Sequence, residues 1–209
     1  MFKVAEILKA TKARLVKGRP EASVGSISID SRTIKPGEVF IAIKGANFDG
    51  HNFIDEALRK GAKAIVSKSR HGLWRAPSET AFMQVKDTTR ALGDIASFHR
   101  ARFNIPIIAI TGSNGKTTTK EMVAWILFAK FRVLKNAGTK NNQIGLPQTL
   151  LNLNSLFDMA VLEIGTNHFG EVEYLARIAR PNIGIITNIG PSHLEYFKNL
   201  EGVFKEKAS

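Results

Sequence analysis

Ile107-Ile108-Ala109-Ile110 runs directly into Thr111-Gly112-Ser113-Asn114-Gly115-Lys116-Thr117-Thr118-Thr119, and a helix-forming stretch, residues 116–129, follows. Apolar strand, glycine-bearing loop, Lys-Thr and helix are the context that a phosphate-binding loop needs. Gly112 and Gly115 let the backbone turn N–H groups inward, with Ser113 and Asn114 in the same cradle. The helix beginning near Lys116 adds the positive end of its dipole. In such a loop Lys116 bridges the β- and γ-phosphates of ATP, Thr117 sets its hydroxyl on Mg²⁺, and Thr118 lies beside them. The common pattern has a glycine five residues before Gly115; Ile110 stands there, so only the shorter Thr-Gly-x-x-Gly-Lys-Thr-Thr form fits. The competing reading, a chance Gly-Lys-Thr at a helix start, does not explain the strand before and the helix after.

From residue 105 apolar strands alternate with helices: strands 107–111, 132–134, 159–163 and 183–188, helices 116–129, 146–153 and 170–178. Near-continuous apolar strands separated by helices predict a parallel sheet covered on both faces, with ligands at the carboxyl ends of its strands. Those ends carry Gly112, Glu163 and Asn188. The segment before reads as a smaller α/β module. It has a helix over 4–12, strand-like alternation over 24–30, a turn at 35–37 and a strand over 39–43. A loop at 45–50, a helix over 53–60 stopped by Gly61, and strands at 64–67 and 81–85 complete it. Asp87 reads as the N-cap of a connecting helix over 90–102. The expected organisation is α/β: a small N-terminal domain, 1–85, then a P-loop-type parallel-sheet ATP-binding domain, 86–209. Residues 204–209 read as the interior of a helix with no glycine or proline stop, so this second domain is expected to be truncated. Trp74 and Trp125 read as packing residues, Trp125 on the apolar face of the helix after the loop.

A chain of 209 residues, 44% hydrophobic, can bury one generous core or two small ones. With no cysteine, disulfides and thiolate metal sites are excluded. The N-terminus has no apolar run of signal-peptide length, and stretches such as 105–110 are too short to span a bilayer. A cytoplasmic protein without membrane insertion is expected. The net charge of +12 raises nucleic acid as a partner. The basic residues, however, are scattered in ones and twos, and a basic surface equally suits anionic nucleotides and sugar pyrophosphates. No nucleic acid is expected.

The short loop form resembles that of the Mur ligase family, ATP-dependent enzymes that add amino acids to UDP-N-acetylmuramate. Asp30-Ser31-Arg32, Pro36-Gly37-Glu38-Val39-Phe40-Ile41-Ala42, Gly45 and Asp49-Gly50-His51 resemble the family's N-terminal domain, which holds the uridine end of the substrate. Within the family, Lys120-Glu121-Met122, Asn141-Asn142-Gln143-Ile144-Gly145-Leu146-Pro147, Glu163-Ile164-Gly165-Thr166-Asn167-His168-Phe169-Gly170-Glu171 and Thr187-Asn188-Ile189-Gly190-Pro191-Ser192-His193-Leu194-Glu195 resemble one member in particular. That member adds D-alanyl-D-alanine to UDP-N-acetylmuramoyl-tripeptide. The diamino-acid-adding member would show a Ser-Ser pair after the strand-end glutamate and a later Asp-His-Leu-Asp run, and neither is present.

The resemblance covers roughly residues 24–209. It implies a role in peptidoglycan synthesis, hence in cell-wall growth, cell shape and division, with ATP and Mg²⁺ as cofactors. It also implies an amide-forming reaction through an acyl phosphate, and a C-terminal domain for the amine acceptor that this chain lacks, so the chain is expected to ligate nothing alone. Lys116, Glu163, His193 and Lys207 are the implied catalytic set, with Thr117, Glu163, His193 and Lys207 on metal. Lys207 matches a lysine that the family carbamylates; a surface lysine is the alternative. Glu163 could instead serve a helix N-terminus, and Asn142, matching a nucleotide-side residue, could instead form an Asx turn. Ser31 and Arg32 are expected on the UDP pyrophosphate, with Asp30 ordering its own turn, and Asn167 and His168 are expected at the tripeptide end. The rival readings are the diamino-acid-adding ligase, a P-loop nucleotide hydrolase acting as a switch, and a non-catalytic UDP-sugar-binding module.

Overall fold

The computed structural model describes residues 1–45 and 48–209. The loop expected over 45–50 includes positions 46 and 47, which lie outside the described residues. The chain forms two compact units, Met1–Ile95 and Ala96–Ser209.

In the first unit β1 (Phe2–Lys3) leads into α1 (Val4–Thr11), which buries Val4 and Ile7. β2 (Arg14–Lys17) and the short β3 (Ser23–Val24) and β4 (Ile27–Ser28) follow, with β3 antiparallel to β1. β5 (Val39–Ile41), α2 (Ile54–Arg59), β6 (Ala64–Ser67) and β7 (Ala81–Gln84) complete the module. The five-stranded sheet has the order β2-β7-β6-β5-β4, parallel except for β2. Phe40, Ile65 and Phe82, one from each central strand, meet Ile54 and Leu58 of α2 in its core. β2 escaped the sequence reading because Arg14 and Lys17 bracket only two apolar residues, too few to show a period. Strand-like 24–30 is two short strands.

α3 (Thr88–Arg100) starts as expected: the Asp87 carboxylate accepts from the N–H groups of Thr89 (2.8 Å) and Arg90 (2.9 Å). The division between units falls inside this helix, ten residues beyond the expected boundary after residue 85, because Ala96 already packs in the second unit's core.

That unit runs β8 (Ile107–Thr111), α4 (Lys116–Phe128), β9 (Val133–Lys135), α5 (Gly145–Leu150), β10 (Met159–Glu163), α6 (Glu171–Ala179), β11 (Ile183–Ile186), α7 (Leu194–Phe197) and α8 (Leu200–Lys207). The sheet order is β11-β8-β10-β9, every pair parallel. Alternation along the strands splits the core. Ile107 and Ala109 join Ala160 and Leu162 against α5 and α6, whereas Ile108 and Ile110 join Val161 against Ala124 of α4. Cover on both faces therefore holds for β8 and β10. It does not hold for β11, where Ile183 is 52% and Ile186 40% exposed.

Both tryptophans contradict the packing expectation: Trp74 is 92% exposed and Trp125 73%. In α4 the buried positions are Lys120 and Ala124, and Trp125 stands about 100° round the helix from Ala124. Leu73 takes the inward place in the turn that carries Trp74.

Candidate active site

The carboxyl ends of β8 and β10 bring the phosphate loop and Glu163 together. Gly112 and Gly115 hold φ of 145° and 76°, values that a β-carbon resists. At Gly112 that carbon would also fall on Thr187 Oγ1. The loop is laced to the segment after β11. Ser113 N donates to Asn188 O (3.1 Å), Asn114 N to Asn188 Oδ1 (3.0 Å), and Thr187 Oγ1 to Asn114 O (2.6 Å). Ser113 Oγ donates to Gly190 O (2.8 Å) and accepts from Gly190 N (2.9 Å). The N–H groups of Ser113 and Asn114 thus donate to Asn188, in the segment after β11. The donors that helix geometry leaves open are those of the first turn of α4, Lys116, Thr117 and Thr118. Lys116 folds over its own loop, donating to Gly112 O (2.8 Å) and Ser113 O (3.2 Å).

Glu163 is 1% exposed, and its oxygens meet side chains rather than a helix N-terminus. Thr117 Oγ1 donates to Oε2 (2.7 Å), Asn141 Nδ2 donates to Oε1 (2.6 Å), and the ammonium of Lys120 lies 3.9 Å from Oε2. Asn136, wholly buried, brackets the backbone of Glu163: its Oδ1 accepts from Glu163 N (2.9 Å) and its Nδ2 donates to Glu163 O (3.0 Å). Lys120, also wholly buried, donates to Asn136 O (2.8 Å) and Gly138 O (3.2 Å). The sequence reading gave roles to none of Lys120, Asn136 and Asn141. The available signal was a polar residue directly after an apolar strand, at the edge where ligands bind. The adjoining hydroxyl of Thr117 and carboxylate of Glu163 are hard oxygen donors, which suits Mg²⁺. Among the described residues no three His, Cys, Asp or Glu side chains cluster to hold a metal.

A polar cleft of about 220 Å³ opens beside the loop, lined by Lys116, Asn141, Asn142, Gln143, Gly165, Thr166, Asn167, Glu171, Leu175 and His193. It brings together Lys116, Asn142, Asn167 and His193 of the expected site. Asn142 also forms the Asx turn, its Oδ1 accepting from Ile144 N (3.1 Å) and Gly145 N (2.9 Å). The Glu171 carboxylate accepts from Asn167 N (2.7 Å) and His168 N (3.1 Å). The ring of His168 lies against Tyr196, centroids 4.1 Å apart, and is not among the lining residues. Lys207 is 5% exposed rather than a surface lysine. Burial lowers its pKa, and the nearby charge of Lys116 lowers it further against the opposing pull of Glu206.

In the first unit Ser31 is buried, its Oγ donating to Glu56 Oε2 (2.9 Å). The hydroxyl offered to a pyrophosphate is therefore turned inward. Arg32 is exposed and forked onto Asp30 (2.7 Å), whose carboxyl it draws down to about 2. Among the described residues no helix is long and apolar enough to cross a membrane.

A profile of the Mur ligase middle domain matches residues 110–209, and one of the Mur ligase family catalytic domain matches residues 23–100. The UDP-N-acetylmuramoyl-tripeptide–D-alanyl-D-alanine ligase of Buchnera aphidicola is 44% identical over 185 residues, 88% of this chain and 40% of that protein. The MurF crystal structure from Acinetobacter baumannii superposes with a TM-score of 0.90 at 34% identity, over 99% of this chain and 45% of that one. MurF from Thermotoga maritima, solved in complex with ADP, gives 0.79 at 35% identity over 87% and 42%. The chain thus spans 40–45% of the length of these relatives.

Proposed function

This chain belongs to the Mur ligase family, and we propose that it forms the UDP-substrate and ATP part of a ligase adding D-alanyl-D-alanine to UDP-N-acetylmuramoyl-tripeptide. The observation that carries the reading is the pairing of Thr117 with Glu163 at the strand ends, beside Lys116 and the polar cleft.

The reaction has two steps. A terminal carboxylate oxygen of the tripeptide attacks the γ-phosphorus of ATP, the bond to the ADP oxygen breaks, and an acyl phosphate forms. The amine of D-alanyl-D-alanine then attacks the acyl carbon, expelling inorganic phosphate and losing a proton. Lys116 leaves the carbonyls of Gly112 and Ser113 to meet the phosphates, which the open N–H groups of α4 also face. Thr117 and Glu163 would hold Mg²⁺, which supplies charge neutralisation on the phosphoryl oxygens. Asn167, in the cleft wall, would face the tripeptide end, His193, in the same wall, would serve the metal site with Glu163, and Arg32 is the accessible fork for the UDP pyrophosphate. Burial enlarges the neutral fraction of the Lys207 amine, which can add CO₂ and release a proton to become an anionic carbamate. No side chain serves as a covalent nucleophile.

Titration of the 209-residue chain with Mg·ATP tests the site. Lys116→Ala should weaken binding by about a hundredfold or more while circular dichroism stays native, since a charge-assisted pair in a partly buried site is lost. Near-unchanged affinity would overturn the phosphate-loop assignment.

A further inference from the structure

One carboxylate ties the C-terminal helix to the cleft. Glu206 is 2% exposed and meets three donors. Its Oε1 accepts from Thr166 Oγ1 (2.9 Å) and Val172 N (2.9 Å), and its Oε2 accepts from Gly170 N (2.7 Å). Two of those donors are amides at the start of α6, which lack intrahelical partners and favour a negative charge. The third belongs to a residue of the cleft wall, and Asn167, next along, lines the same wall. On the other side Glu206 is bonded through the chain to Lys207, whose side chain is buried.

Lys207 has reason to leave. Taking an ammonium out of water is unfavourable, and doing so near the like charge of Lys116 is more so. A flexible four-carbon stem at a helix end would turn to solvent unless the helix were held. The three hydrogen bonds to Glu206, all to an anion and two of them buried, are the hold that the geometry provides.

We propose that Glu206 is a positioning residue: its carboxylate, set on the N-terminus of α6, keeps the Lys207 side chain buried while fixing the Thr166–Asn167 wall of the cleft. The use that the buried lysine serves rests on the ligase reading above; the positioning does not. The chemistry asks for a carboxylate and not merely its shape. In Glu206→Gln the volume is kept, but an amide nitrogen cannot accept, so at least one of the three donors is left unpaired and the N-terminus of α6 loses one of the carboxylates around it.

Competitive amine labelling of the intact 209-residue chain at pH 8, read by mass spectrometry, measures the ratio of Lys207 to Lys205. Lys205 is an exposed lysine on the same helix and serves as the internal reference. In the native chain Lys207 should label far less than Lys205. Glu206→Gln should raise the ratio about tenfold, and Thr166→Val, which removes one donor and keeps the carboxylate, about threefold. A thermal melt confirms that each variant is folded at the labelling temperature. A role confined to stability would lower the melt and leave the ratio alone. An unchanged ratio in folded Glu206→Gln overturns the proposal; if that chain does not fold, an unchanged ratio in Thr166→Val does so. Titration of the native chain with Mg·ATP runs in parallel. Absence of binding there counts against the ligase reading and leaves the labelling result to decide this one.

Discussion

Asn136 stands one position past the end of β9, where the register that pairs Lys135 with Val161 would continue. Backbone pairing stops there, and the side chain takes it over. Its amide offers Glu163 an acceptor at 2.9 Å and a donor at 3.0 Å, as a neighbouring strand would, and also donates to Lys140 O at 3.0 Å. Asn136→Ala keeps β9 and removes all of this, leaving the buried N–H and carbonyl of Glu163 and the part-buried carbonyl of Lys140 without their partner. A buried unsatisfied group costs about 1–3 kcal/mol, carbonyls toward the low end, and partial relaxation brings the expected total to about 3–5 kcal/mol. Against a total stability of about 5–15 kcal/mol that is a large fraction. Urea unfolding followed by far-ultraviolet circular dichroism reads it as a lower midpoint. Asn136→Asp should be worse still, since it exchanges the donor that two carbonyls need for a second buried carboxylate beside Glu163. A midpoint shift equivalent to less than about 1 kcal/mol for Ala, or an Asp variant more stable than Ala, would refute the reasoning.

Gly112→Ala puts a β-carbon on Thr187 Oγ1 at a φ of 145°, so titration should show Mg·ATP affinity at least about tenfold weaker, and unaltered affinity would mean the loop conformation is unimportant. Arg32 holds the folded Asp30 carboxyl at about 2, below its ordinary 3.8, so this pair's stability is present above pH 3.8 and is lost as pH falls through about 2. Because the Arg32 side chain is 82% exposed, solvent screening keeps the contribution small, and acid unfolding of Asp30→Asn should lack that component. Trp125→Ser should change stability by no more than about 0.5 kcal/mol in a urea melt, whereas a loss above about 2 kcal/mol would restore the packing role.

The parallel sheet was legible because β8 and β10 are buried on both faces, which forces runs such as Ile107-Ile108-Ala109-Ile110 that few other structures require. The phosphate loop was legible because its chemistry is local, a few residues between one strand and one helix. What stayed hidden depends on distance along the chain. Asn136 acts on a residue 27 positions away, Lys120 on carbonyls 16 and 18 away, and Glu206 on groups 34 to 40 away. No period or motif in a short window reports such partners. Trp125 misled for a related reason: which stripe of α4 is covered depends on the sheet beneath it, and Lys120, polar by composition, lies in the covered stripe. Ser31 shows the limit of a motif at the other end of the chain, since its place beside Arg32 says nothing about Glu56, which claims its hydroxyl.

The bonds that join Ser113 and Asn114 to residues 187–190 mean that the loop is shaped before any nucleotide arrives. Its conformational entropy is given up on folding rather than on binding, so the encounter need not wait for backbone rearrangement. What must still move is one side chain: the Lys116 ammonium occupies two carbonyls of its own loop and has to exchange them for phosphate oxygens. Rotamer hops of a partly exposed lysine are fast on the scale of diffusion. The arrival of ATP should therefore follow the ionic strength of the medium, as capture of an anion by a chain of net charge +12 does, with little delay from the loop itself.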